Sequence, residues 1–178
     1  MSIPMALTNL NPVSASVMVA LIGVATVFLI YYLGKVWFGR GAGLISAFLY
    51  AISPVTINYS NFSWNPNPNP FFALIAVLGF YKVNKTGNFL WLILTGAAVA
   101  AALQMHYLSL ILIPIFAILW VHEFLIRLSK KHPLKNLLSG TFLGILFFLL
   151  IMSPLFLFDL KHDFLNYKAI SALLTKGE

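Results

Sequence analysis

The chain alternates between apolar runs and short polar stretches, and the lengths of the runs predict its elements. The first run, from about Pro12 to Gly34, is long enough to cross a bilayer, which takes ~20 helical residues. Its end is marked by Gly34, Lys35, Trp37 and Arg40: a helix stop, an interfacial aromatic and two cations. A second run, from about Gly41 to Ile57, is interrupted late by Ser53-Pro54. A third, Phe71 to Tyr81, ends at Lys82 and Lys85, and it can begin inside the preceding polar stretch because Pro70 is acceptable in a helix's first turn. From Asn88 to Ile126 the chain is apolar except near its middle. At 1.5 Å per residue that length is about twice the ~30 Å hydrocarbon thickness, so it holds two helices. The polar interruption Gln104-Met105-His106-Tyr107 predicts a hairpin there, with spans over about 88–104 and 107–126. The last span, about Leu137 to Phe158, contains Ser153-Pro154 near its end. Together these runs predict an all-α, polytopic transmembrane helical bundle of about six spans. Before them, Met1 to Asn11 reads as a polar leader without the basic segment of a cleavable signal peptide. After them, Phe164, Leu165, Ala169, Ile170, Leu173 and Leu174 alternate with Asn166, Lys168, Ser171 and Lys176, which predicts a helix lying along the outer interface.

The stretch from Asn58 to Pro70, NYSNFSWNPNPNP, breaks this pattern. Three Asn-Pro pairs (Asn65-Pro66, Asn67-Pro68, Asn69-Pro70) remove three backbone donors, and each proline pushes the asparagine before it toward extended conformation. Bare backbone of this kind cannot face hydrocarbon, where each unpaired amide or carbonyl costs several kcal/mol, so the stretch lies at the water interface or lines a protein cavity. It reads as a rigid, polar, uncharged loop. The plainer alternative is a helix-breaking connector with no ligand.

Composition sharpens the picture. The chain is 61% hydrophobic and 8% charged, far from the ~25% charged residues of soluble domains, and its mean hydropathy is +0.93. There is no cysteine, hence no disulfide and no thiolate metal site. The net charge of +7 does not point to nucleic acid, because Lys and Arg fall in short clusters between apolar runs and form no single basic face. The clusters at residues 35–40, 82–85 and 127–135 are separated each time by two spans and an uncharged turn. The positive-inside rule therefore makes them cytoplasmic and puts both termini, the Asn-Pro loop, the Gln104–Tyr107 turn and the Asp159 segment on the outer side.

His106 is the candidate with most chemical interest: with Gln104 and Tyr107 beside it, it can donate hydrogen bonds to an anion such as a lipid phosphate. The alternative is a solvated histidine at a helix end. His122, Glu123 and His132 lie at the cationic end and read as interfacial residues. Asp159 and Asp163, four apart, suit a general base, a metal ligand or a helix cap. Flanked by Lys161 and His162, they read better as a helix start than as a site. Glycosylation patterns at Asn58 and Asn61 carry no weight, because the same pattern occurs at Asn84 on the expected cytoplasmic side. No Gly-rich phosphate loop, nucleophile elbow or zinc motif is found.

Four segments carry a resemblance: NPVSASVMVALIGVATVFLIYYLGKVWFGR, AISPVTINYSNFSWNPNPNPFF, LQMHYLSLILIP and FDLKHDFLN. In their order and spacing the chain resembles the membrane-embedded GT-C glycosyltransferases, and is similar to the protein mannosyltransferases of glycosyltransferase family 39 and to bacterial relatives that use polyprenyl-phosphate sugars. The resemblance implies a partial GT-C core in the plasma membrane, a polyprenyl-phosphate-linked sugar as donor, membrane lipid as surroundings, and transfer of a hexosyl or pentosyl unit to an acceptor on the outer face. It implies direct displacement, with a carboxylate base on the acceptor hydroxyl and cationic groups on the departing phosphate. Carried over by position, His106 falls where relatives place a lysine or histidine near the lipid phosphate. Asn61, Trp64, Asn65 and Asn67 fall in a loop where relatives have acidic and basic residues, both absent here. A divalent metal as cofactor enters only through the likeness, and no metal-binding residues are assigned. The family's catalytic aspartate sits in an outer loop between its first two spans, upstream of anything matched here, which leaves Asp159 as a weak catalytic candidate. The expectation is therefore a single transmembrane domain over residues 1–178 that is an incomplete piece of a larger enzyme, inactive alone and partnered by the missing portion. A competing reading is a non-enzymatic transporter or lipid-handling protein using helices broken at Pro54 and Pro154, against which stands the lack of ionisable residues in mid-span.

Overall fold

The computed structural model describes residues 2–176. Its helices are α1 (Ser2–Leu7), α2 (Val13–Phe38), α3 (Arg40–Ile52), α4 (Pro54–Ser60), α5 (Asn69–Thr86), α6 (Trp91–Met105), α7 (Leu112–Ser129), α8 (Lys135–Lys161) and α9 (Leu165–Lys176), with a 3-10 turn at Tyr107–Ile111 ahead of α7. No strand occurs among the described residues. The protein is an all-α membrane protein. Helices α2 and α8 and the unit Tyr107–Ser129 are long and apolar enough to cross a membrane, and α3 with α4, bent by 60° at Ser53-Pro54, passes as a fourth crossing. Helices α5 and α6 occupy the remaining expected spans, yet α6 has 15 residues, short of the ~20 a crossing takes, and α5 ends in Lys82, Asn84 and Lys85. The expected six crossings are thus six helical segments, of which three or four meet the length and apolarity of a span.

Helix ends follow local chemistry. Gly39, at φ +94, turns α2 into α3, and its N–H closes on the Lys35 carbonyl. Gly87, in the left-handed region, ends α5 with its N–H on Val83 O. Pro54 opens α4, where its missing N–H costs nothing. Pro154 lies inside α8 and withholds the donor that Leu150 O would take, and the Ser153 hydroxyl donates to that carbonyl instead at 2.7 Å. Part of the leader is helical, since α1 occupies Ser2–Leu7. The irregular stretch is also shorter than expected. Asn58–Ser60 complete α4 and Asn69-Pro70 open α5, so residues 61–68 make the loop. That loop is a run of turns, with Asn67 N–H on Trp64 O and Asn69 N–H on Pro66 O, both at 3.0 Å. The prolines are compatible with it because each needs no donor; Pro68 rests at φ −74, ψ −9.

Helix α6 is the axis of packing, with α5 on one side and α8 on another, while α2 pairs with α3 and touches α5. Small residues let these backbones meet. A Cβ on Gly140 would lie 2.5 Å from Phe89 O, one on Gly144 2.7 Å from Leu92 O, and one on Gly96 against Gly144 O. Around this crossing Phe80, Val83, Phe89, Leu92 and Leu137 form one buried cluster, and Ala76, Ala98 and Val99 form another. The buried Thr95 hydroxyl is placed between the Ala76 and Trp91 carbonyls, at 3.4 and 3.3 Å. Helix α7 reaches this core through Phe116, Trp120 and Phe124, and Trp120 Nε1 donates to Thr141 Oγ1 at 2.8 Å. Between α7, α6 and α8 remains an apolar cleft of about 570 Å³. Large side chains such as Phe28, Phe48, Ile118 and Phe142 are more than half exposed, the arrangement lipid favours and water does not.

At the ends carrying the cationic clusters, aromatic rings hold the cations. Lys82 Nζ lies 5.7 Å from the Tyr32 ring and 5.9 Å from that of Trp91, and Arg127 lies 4.2 Å from the Phe89 ring while pairing with Glu123 at 2.8 Å. Helix α9 forms as the tail's pattern predicts, but the side chains of Ile170, Leu173, Leu174 and Lys176 lie outside the described residues.

Candidate functional site

The polar groups gather at the helix ends opposite the cationic clusters. Asn69 starts α5, whose other end bears Lys82 and Lys85, and the 3-10 turn after His106 starts the unit that ends in Arg127. The buried Ser109 hydroxyl donates to Asn69 Oδ1 at 2.8 Å, tying the Asn-Pro loop to the His106 turn. The sequence pattern puts both on one side of the membrane; this bond puts them in contact.

His106 breaks the chain between α6 and the 3-10 turn by adopting φ −157, ψ 132. Its Nδ1 accepts the Leu108 N–H at 3.2 Å, and its ring stacks on Tyr107 at 4.7 Å. With Nδ1 used as acceptor, the neutral ring carries its proton on Nε2, leaving that N–H free to donate to an anion. Tyr107 is exposed beside it. Gln104 acts elsewhere, because its amide donates to the Ile151 carbonyl of α8 and so clamps α6 to α8.

The loop is held from within by Asn67, whose Nδ2 donates to Tyr59 O at 2.5 Å and Phe62 O at 2.9 Å. The Trp64 ring stacks on those of Tyr59 and Phe62, with centroids 5.7 Å apart for Tyr59–Trp64 and 6.5 Å for Phe62–Trp64, and Tyr59 and Phe62 are tilted to each other. Trp64 stays 50% exposed, so the stack presents a ring to the exterior. Asn61 ends α4 with its N–H on Asn58 O at 3.3 Å, and Asn65 is exposed in the first of the loop turns. Beneath the loop lies a cavity of about 360 Å³ between α2, the α3–α4 bend and the start of α5. Tyr50, Thr56 and Tyr59 line it together with Trp64 and Asn67. Sequence reasoning missed Tyr50, Thr56, Tyr59, Asn69 and Ser109. Tyr59 and Asn69 were within the singled-out stretch Asn58 to Pro70 without being named as site residues, but Tyr50 and Thr56 are brought together across the Pro54 break, where helical periodicity carries no signal.

Asp159 is a cap. One carboxylate oxygen accepts the Asn166 N–H at 2.8 Å and the other the Tyr167 N–H at 3.3 Å, in the first turn of α9. Asp163 and Phe164, at φ +53 and +58, make the sharp link between α8 and α9. No three His, Cys, Asp or Glu side chains are grouped for a metal among the described residues. The groups that the Ser109–Asn69 bond brings together, those of the Asn-Pro loop and the His106 turn, are amides, hydroxyls, aromatic rings and one imidazole, a donor set unsuited to a divalent cation that prefers carboxylates. No metal-assisted step follows from these residues.

A multi-pass helical membrane protein with a neutral, amide- and aromatic-rich site at one end of its helices is the class defined so far. Residues 1–158 match the family described as dolichyl-phosphate-mannose-protein mannosyltransferase, and the chain belongs to that family. It is also similar to the Bacillus subtilis (strain 168) protein named "Putative mannosyltransferase YycA", 28% identical over 113 residues, which is 63% of this chain and 16% of that relative's length. The chain thus aligns with a small part of that relative. No solved structure matches it.

Proposed function

We propose that the chain is part of a plasma-membrane glycosyltransferase that moves a hexosyl or pentosyl unit from a polyprenyl-phosphate carrier to an acceptor on the outer face. Family membership supports sugar transfer, and the observation that carries the site is the Ser109–Asn69 hydrogen bond, which joins the His106 turn to the Asn-Pro loop. In this reading His106 donates from Nε2 to a phosphate oxygen of the carrier, and that charge-assisted bond strengthens as the phosphate departs. The acceptor hydroxyl attacks the anomeric carbon, the bond from that carbon to the phosphate oxygen breaks, and the hydroxyl proton passes to a carboxylate base. Asp159 is engaged by α9, so this reading assigns the base to a carboxylate other than Asp159. The decisive experiment assays the purified chain with radiolabelled polyprenyl-phosphate sugars, with and without a co-expressed segment carrying an acidic outer loop. Transfer that needs the added segment supports the reading. Transfer by this chain alone, abolished by Asp159→Asn, overturns the assignment of the base, and no transfer in either arm overturns the function.

A further inference from the structure

The steps just described engage the carrier phosphate and the acceptor hydroxyl and leave the cavity under the Asn-Pro loop unassigned. We infer that it is a binding site for one uncharged pyranose ring, stacked against the Tyr59–Trp64 wall. This rests on the reading of the chain as a sugar-handling protein and adds where the sugar sits and what charge it bears. At about 360 Å³ the cavity is in the size range of small-ligand pockets, ~300–1,000 Å³. Its wall combines aromatic faces with a few polar groups, the pattern such pockets use for fit and orientation. The C–H face of a pyranose carries slight positive charge and meets the negative face of an aromatic ring. Because Trp64 is already stacked on Tyr59 and Phe62, little side-chain entropy remains to be lost on binding.

The polar groups are set for hydroxyls. Both amide hydrogens of Asn67 have backbone acceptors in Tyr59 O and Phe62 O, so its Oδ1 is the atom left to accept a bond, on an amide that cannot flip without losing both. Ser60 donates to Ile57 O at 2.8 Å and likewise keeps acceptor capacity. None of the lining residues is charged. A carboxylate or ammonium entering the cavity would lose hydration with no counter-charge on the wall, a penalty far above that of a hydrogen-bonded hydroxyl. The cavity therefore selects neutral sugars over uronic acids and amino sugars.

The experiment is saturation-transfer NMR on the whole chain in lipid nanodiscs, with methyl mannopyranoside, methyl glucuronide and methyl glucosaminide as probes. The neutral glycoside is expected to give the strong signal. Trp64→Ala is expected to weaken its binding roughly fivefold or more, about 1 kcal/mol, and Trp64→Phe to retain most of it. Gly23→Val, which adds bulk from the α2 wall facing Ser60, is expected to weaken binding without touching the aromatic stack. Trp37→Ala, at the Tyr81 contact on the opposite end, serves as the folding control and is expected to keep the signal. Equal signals from all three glycosides, indifference to both Trp64→Ala and Gly23→Val, or displacement of the probe by farnesol at the same residues would overturn the inference. Sugar transfer in the preceding assay without glycoside binding here sinks this site alone, whereas failure of both sinks the functional reading.

Discussion

Replacing Gly144 of α8 by alanine sets two effects against each other. In an exposed helix, Gly→Ala stabilises by up to about 1 kcal/mol because the backbone loses less entropy on folding. At Gly144 the new Cβ would lie 2.7 Å from Leu92 O and 3.1 Å from Leu92 C, and both are backbone atoms that no rotamer can move aside. Relief requires α6 and α8 to separate, and a gap of ~0.5–1 Å forfeits roughly a quarter to a half of the dispersion attraction across the contact. Overpacking of this kind costs about 1–3 kcal/mol, so the clash outweighs the propensity gain. Adding Gly140→Ala, whose Cβ meets Phe89 O at 2.5 Å, widens the margin. Gly41→Ala in α3 is the matched control: nothing lies within 4 Å of its Cβ, so the propensity term acts alone. The assay is the thermal midpoint of detergent-solubilised protein followed by size exclusion, where each kcal/mol moves the midpoint by roughly 2–4 °C at this chain length. Gly144→Ala and the double variant should lower the midpoint and Gly41→Ala should hold or raise it. If Gly144→Ala matches or exceeds the midpoint of Gly41→Ala, the close α6–α8 crossing is refuted.

Three further predictions follow from the site and the topology. Single cysteines at Asn84 and Lys131, in the cationic clusters, should resist an impermeant thiol reagent added outside, and a cysteine at Asn65 should react; external labelling of either of the first two sinks the proposed orientation. Under the proposed function, His106→Ala should weaken binding of the polyprenyl-phosphate donor by about 1.5–3 kcal/mol and His106→Lys should restore part of it, whereas unchanged affinity in the alanine variant returns this residue to a helix-end role. Asp159→Ala should loosen α9 by about 0.5–2 kcal/mol, seen as faster proteolysis around residues 165–170, while Asp159→Asn keeps an acceptor and should lose less; equal protection in all three proteins removes the cap.

Sequence alone determined the class of protein and the positions of its helices. Burial in lipid demands long apolar runs with internally paired backbone, and Gly39, Pro54 and Gly87 act at their own positions, so those features are local and legible. The break at His106 and the capping by Asp159 were legible for the same reason, since both concern residues within a few positions along the chain. The extent of the irregular loop was overstated because a proline restricts only the residue before it and itself fits a first turn: Asn58–Ser60 precede no proline until Pro66 and stay helical, and Asn69-Pro70 open α5. The packing around α6 was not legible: small residues on α5, α6 and α8 let the three backbones approach, a contact between segments distant in the chain. Gln104 carried a polar signal equal to that of His106, and tertiary contact alone separated them, sending the amide to Ile151 O and leaving the imidazole Nε2 free. The cavity needed Tyr50, Thr56, Trp64 and Asn67 from either side of a 60° bend and a run of turns. No sequence period spans such a break, so only the folded chain could bring them together.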